Sequence, residues 1–331
     1  MTGLYPFLMS PVFDPRPWGG TDLSPIYPNH RFEDKIGESW LTGDAGTVAA
    51  GPLRGRSLAE LSLELGRELV GSAPHEAHRF PLLTKFLFPH EKLSIQVHPD
   101  DEAARRVGEP WGKTECWYVA HARPGAQVAL GLKPGVTREQ FAKAIEAKHA
   151  EELLRWINIF PGEMIYVAGG TVHTMSAGSV LVETQQQSDT TYRLYDYGRP
   201  RELHLELGLA AIKEQPGSGK TIRPAPVQHG ANRIASLVAA PFFTVELVEL
   251  REALPLRTDD ASGKTSAQVL VGLEGCAIVE AAGAEPVALA KGDAVVVPAS
   301  LREFRVRPQW TAEFLRAGVP GVQCPVPATR L

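Results

Sequence analysis

Gln96, His98 and Glu115 have the side chains of three arms of a metal site, and His173, further along, is the natural fourth. In the stretch from Lys92 to Tyr118 (KLSIQVHPDDEAARRVGEPWGKTECWY) the first half alternates. A strand there turns Ser94, Gln96 and His98 to one face and Leu93, Ile95 and Val97 to the other. The second half repeats the pattern and groups Lys113, Glu115 and Trp117. Two imidazoles, a carboxylate and an amide suit about one divalent ion per chain, with an open position for water or substrate if the site is catalytic. Zinc fits that donor set, and iron, manganese, cobalt or nickel can also occupy it.

The surrounding elements must bring these residues together. Pro161-Gly162 reads as a turn, Met164 to Val167 as a short strand, and Gly169-Gly170 as a sharp bend that delivers His173 to the next strand. Phe80 to Phe88 reads as a buried strand bounded by Pro81 and Pro89, and Asp100 to Arg105 as a helical turn whose acids suit the helix dipole. Ser57 and Glu60 form a capping box ahead of an apolar stripe of Leu58, Leu61 and Leu65. Thr137 caps a charged helix expected to run to Asn158, with Phe141, Ala144, Ile145, Leu153 and Trp156 near helical spacing. Ser179 to Glu183 and Thr190 to Tyr195 alternate as antiparallel strands. Asp189 and Arg193 fall at a strand end, where a surface salt bridge and a functional pair are both open readings. Trp18-Gly19-Gly20 and Ile36 to Trp40 read as structural edge strands against a buried ring.

Composition narrows the class. The 331 residues are 44% hydrophobic and 22% charged, as in an ordinary folded protein long enough for two cores. A net charge of -4 gives no general attraction to nucleic acid or to anionic membrane. The start has no basic front end and is broken by Pro6, Pro11, Pro15 and Pro17, so neither a signal peptide nor a membrane span is expected, and the cytoplasm is the default location. Cys116, Cys276 and Cys324 are widely spaced and odd in number, which suggests reduced thiols, with Cys116 on the apolar side of its strand. Glu214 to Arg233 reads as a linker; its Gly217-Ser218-Gly219-Lys220 piece lacks the context of a phosphate loop. From Phe242 onward short alternating strands imply a small β-barrel or sandwich. No histidine follows His229, so that second unit is expected to be structural.

LSIQVHPDDEAA, GKTECWYV, GGTVHT and SDTTYRLYDYGRP, with WGG and IGESW ahead of them, resemble a type I mannose-6-phosphate isomerase of the short bacterial and archaeal form. The resemblance covers nearly the whole chain. It implies a mainly β fold of two cupin-type (jelly-roll) β-barrels, with a few helices inserted in and around the first. Residues 1–225 would form the catalytic domain and residues 226–331 a smaller cupin domain without metal ligands. One zinc ion would be held by Gln96, His98, Glu115 and His173. Lys113 and Arg193 match the family's active-site lysine and arginine, with Asp189 shortly before the arginine, and Ser94 matches a serine near the substrate phosphate.

The implied reaction moves a proton between C1 and C2 of an open-chain sugar phosphate through an enediol, with the metal as Lewis acid. Lys113 is expected either to act as acid/base in the ion's field or to bind substrate oxygens. Arg193 suits an oxyanion, and Asp189 would orient it or assist ring opening. The expected partner is a small sugar phosphate, with the protein a monomer or homodimer. The rival readings are a cupin oxygenase or other sugar isomerase, and a non-catalytic sugar-phosphate-binding or regulatory metal cupin.

Overall fold

Among the described residues strands dominate, and they assemble into three antiparallel sheets of ten, eight and five strands. The computed structural model describes residues 4–74 and 76–331. The mainly β expectation holds, and among the described residues no helix is long and apolar enough to cross a membrane.

The eight-stranded sheet is the layer on which the site is built. Leu82–Leu87 and Ser179–Gln186 are buried at every position. A sheet covered on both faces produces that pattern. On one face Phe86, Cys116, Tyr118 and Val182 pack with Val245, Leu247, Val271 and Leu315 of the ten-stranded sheet. On the other, Leu87, Trp117, Ile165 and Leu181 pack with Val128, Leu130 and Met175 of the five-stranded sheet. Side chains alternate between faces, so Cys116 falls in the first core, as its sequence position indicates. Lys85, Glu115 and Glu183 fall on the second face, between the eight- and five-stranded sheets. Lys85 is paired in register with Glu183, and Glu183 with Trp117, which sets the three in one row across three strands.

Two stretches depart from expectation. The helix begun at Thr137 ends after Arg138–Glu146, and Lys148 adopts a left-handed φ of 62°. A single-turn helix and the Leu154–Asn158 strand follow, so Leu153 and Trp156 leave the helical stripe; pairing of that strand with Gln127–Leu132 outweighs the local helical pattern. The expected linker also contributes strands. Gly219–Thr221 bridges Met164–Val167 and Thr329–Arg330, and Val227–His229 forms a hairpin with Asn232–Ala239. Buried Ser218 explains why this stretch is held: its Oγ accepts from Ala168 N at 2.9 Å and bonds Thr171 Oγ1 at 2.7 Å. The N-terminal strand Phe7–Ser10 pairs with Ala294–Val297 in the ten-stranded sheet.

The capping box at Ser57 is formed in full, with Glu60 N donating to Ser57 Oγ and Ser57 N donating to Glu60. Ser57→Ala removes one of those bonds at an exposed helix end. It is expected to cost about 1 kcal/mol, read as a lower denaturant midpoint with unchanged activity.

Candidate active site

Each of the four sequence-predicted ligands is delivered by a different local device. Gln96 lies mid-strand in Ile95–Val97, in register with His173 on one side and Arg193 on the other. The three therefore share one face of the five-stranded sheet. His98 follows the strand's last residue, and Glu115 opens the Glu115–Ala122 strand of the facing sheet. The Gly169-Gly170 bend is tight for a steric reason. A side chain at Gly169 would strike the Asp100 backbone at 2.7 Å, while Gly170 has φ +90° and its N–H donates to the His98 carbonyl at 2.7 Å. Glycine permits both the approach and the turn.

His98, Glu115 and His173 converge, with one ligand atom from each within 4.8 Å of the others, and all three are buried. His98 Nδ1 lies 3.0 Å from the Thr190 carbonyl and His173 Nδ1 2.9 Å from the Thr171 carbonyl. A carbonyl accepts only, so both Nδ1 atoms carry the proton and both Nε2 atoms present lone pairs. His98 Nε2 is 3.5 Å from Glu115 Oε2, and His173 Nε2 is 3.5 Å from Glu115 Oε1. His98 Nε2 and both Glu115 oxygens are buried without a hydrogen-bond partner. Orphaned electron-pair donors aimed at one point are what a cation requires, so the residues fit a divalent metal. Gln96 Nε2 is 3.1 Å from His173 Nε2, and Ser94 Oγ donates to Gln96 Oε1 at 3.3 Å. A half-turn of that amide presents oxygen to the same point.

The cluster adjoins a cavity of about 440 Å³ lined by Gln96, Ser94, Lys113, Asp189 and Arg193 among others. Lys113 Nζ is 3.4 Å from Glu115 Oε2. Arg193 Nη1 donates to the Glu202 carbonyl at 2.7 Å, and Arg193 and Asp189 form no ion pair among the described residues. Both line the cavity without direct contact with each other. The segment Asp189 belongs to serves the site through Thr190, whose carbonyl holds His98.

Glu183, Lys85 and Glu38 belong to the same cavity and were not singled out from the sequence. Lys85 Nζ sits 3.2 Å from Glu183 Oε1 and 3.3 Å from Glu38 Oε2, and Glu183 Oε1 is 3.8 Å from Lys113 Nζ. Trp117 Nε1 donates to Glu183 at 3.0 Å, and Arg16 Nε to Glu38 at 3.1 Å. Basic and acidic side chains thus alternate from Arg16 through Glu38, Lys85, Glu183 and Lys113 to Glu115. A signal for two of them exists in the sequence: Lys85 and Glu183 are the charged residues of the LLTKFL and SVLVETQQ segments, each set beside an apolar run.

Burial and these neighbours set the charges. Burial pushes Glu38 up, but Lys85 and Arg16 outweigh it and hold its carboxyl down at about 2. Burial likewise opposes the charge on Lys85, and Glu183 and Glu38 overcome it, so its pKa is raised. Burial, then the positive field of Lys113, keeps His98 well below the usual imidazole range, and burial takes His173 to about 4. Burial, reinforced by Glu183, pushes Glu115 up to about 8 against the pull of Lys113.

In the metal-free protein burial thus favours neutral imidazoles at His98 and His173 and a protonated carboxyl at Glu115. Metal binding must displace that proton. Affinity is expected to rise about tenfold per pH unit up to about 8 and to level off above it, because the proton to be displaced is gone there. Calorimetry in two buffers of different ionisation enthalpy checks this; uptake of metal at pH 7 with no proton released contradicts it.

Comparison with known proteins bears on most of the chain. The family model described as Phosphomannose isomerase type I, catalytic domain, matches residues 8–110. Mannose-6-phosphate isomerase ManA of Bacillus subtilis is 41% identical over 223 residues, 63% of this chain and 68% of its own. Mannose-6-phosphate isomerase of Streptococcus mutans is 33% identical over 298 residues, covering 87% of this chain and 90% of its own. The crystal structure of the mannose 6-phosphate isomerase from Bacillus subtilis superposes with a TM-score of 0.83 at 32% identity, over 94% of this chain and 99% of that one.

Proposed function

The chain belongs to the type I phosphomannose isomerase family, and we propose that it interconverts mannose 6-phosphate and fructose 6-phosphate in the cavity beside His98, Glu115 and His173. The observation that carries this reading is the meeting of orphaned metal donors with an adjacent lysine and a buried carboxylate in one cavity. We assign zinc to His98, Glu115, His173 and Gln96, because imidazole and carboxylate donors in this number suit it. When bound, the ion supplies a Lewis acid for the oxygens on C1 and C2.

The chain's own residues do the rest. Isomerisation takes a proton from the carbon next to the carbonyl, returns it to the neighbouring carbon, and moves a second proton between the two oxygens. Glu183 Oε1 is buried, with the Lys85 ammonium 3.2 Å away but no hydrogen bond of good geometry, and it retains a lone pair for the carbon-bound proton. Lys113 lies between Glu183 and Glu115 and is placed to carry the oxygen-bound proton. Lys85 and Trp117 hold the Glu183 carboxylate in position. Arg193, fixed by Glu202, and Ser94 suit the phosphate oxygens. Residues 1–225 carry this chemistry in our reading, and residues 226–331 support the eight-stranded sheet from behind.

A purely binding role gives Glu183 and Lys113 no task. A coupled assay that follows fructose 6-phosphate formed from mannose 6-phosphate, with and without a chelator, tests the reading. Metal-loaded protein that binds the sugar phosphate without turning it over would establish a binding module instead.

A further inference from the structure

Beside the turn that follows the Leu82–Leu87 strand lies a second cavity of about 280 Å³, and it shares no lining residue with the metal cavity. Exposed His90, His121 and Arg123 line it together with buried Ser179. Its lining contains no carboxylate, although the Asp22 carboxylate accepts from the lining Ser24 Oγ at 2.8 Å. Arg16, Arg79 and Arg201 all pair with acids. Among the described residues Arg123 forms no such pair. Ser179 is 5% exposed, and its Oγ has no hydrogen-bond partner. A hydroxyl removed from water without a partner is uncommon in a folded protein, and a ligand group is one way to satisfy it. His90 Nε2 donates to the Asp22 carbonyl at 3.0 Å, so the neutral ring keeps only an acceptor lone pair on Nδ1 and does not itself serve an oxyanion.

A guanidinium without a counterion, the His121 imidazole and an unsatisfied hydroxyl complement a compact oxyanion. We propose that this cleft is a phosphate-binding site separate from the metal cavity, taking either free phosphate or the phosphate of a small metabolite. The volume admits a phosphate with a short organic group attached. Nothing in this inference depends on the isomerase reading, since no residue is common to the two cavities.

Titration calorimetry on metal-loaded protein, with inorganic phosphate in one arm and glycerol 3-phosphate in the other, counts ligands bound per chain. Arg123→Ser and Ser179→Ala are each expected to bind one ligand fewer than the unaltered chain in at least one arm, with turnover of mannose 6-phosphate unchanged. Loss confined to the first arm identifies free phosphate as the occupant, and loss confined to the second an esterified one. Equal counts in the unaltered chain and both variants, in both arms, overturn the proposal.

Discussion

His98→Ala should yield a folded chain that retains less than about a tenth of an equivalent of metal after dialysis and has lost about 10³-fold or more in turnover, the scale of several kcal/mol of Lewis-acid stabilisation. The imidazole Nε2 has no other partner, so the fold loses only the bond from Nδ1 to the Thr190 carbonyl. That bond is worth about 1 kcal/mol, and the melting temperature of the metal-free variant should stay within about 5 °C of the metal-free parent. Elemental analysis beside the activity assay separates the outcomes. A variant that keeps a full equivalent of metal refutes His98 as a ligand, and one that loses metal but keeps turnover refutes the need for it.

The second large effect falls on proton transfer. Lys113→Met and Glu183→Gln should each lower kcat by about 10²–10⁴-fold, the usual range for a positioned acid or base, while the metal content stays at the level of the parent. Neither residue is among the three that converge as ligands, although Lys113 Nζ is 3.4 Å from Glu115. The two substitutions differ in what they leave behind. Lys113→Met exposes Glu115 and Glu183 to each other without the intervening cation, so metal should bind more tightly in the variant. Glu183→Gln keeps the acceptor for Trp117 and removes the charge facing Lys85. A loss confined to KM in both variants would assign these residues to substrate binding and leave the proton carrier elsewhere.

Much of this site can be read from the chain because its parts obey a period of two. Gln96 and His98 alternate with Ile95 and Val97, and Lys113, Glu115 and Trp117 alternate with Thr114 and Cys116, so facing is decided before any folding is known. His173 is legible from the glycine bend before it. The acidic network is not legible in the same way. Glu38 lies in a segment whose glycine and tryptophan suggest only an edge strand, yet Arg16 and Lys85 draw its carboxylate into the cavity. Lys85 and Glu183 meet because two strands nearly a hundred residues apart pair in one register, and register between distant strands leaves no trace in either segment alone. The same reason accounts for the Leu154–Asn158 strand read as helix: its partner, Gln127–Leu132, precedes it by a whole helix. The Glu214 to Arg233 stretch misleads for another reason. Its glycines and prolines are those of a linker, while its structural part rests on the buried hydroxyl of Ser218, which composition does not reveal.

The most direct test of the whole account is to strip the protein with a chelator and titrate zinc back while measuring conversion of mannose 6-phosphate to fructose 6-phosphate. Activity should be absent at the start, rise in proportion to added zinc, and stop rising at about one ion per chain. Full turnover by protein shown to be free of metal would contradict the claim that His98, Glu115 and His173 exist to hold the ion on which the reaction depends.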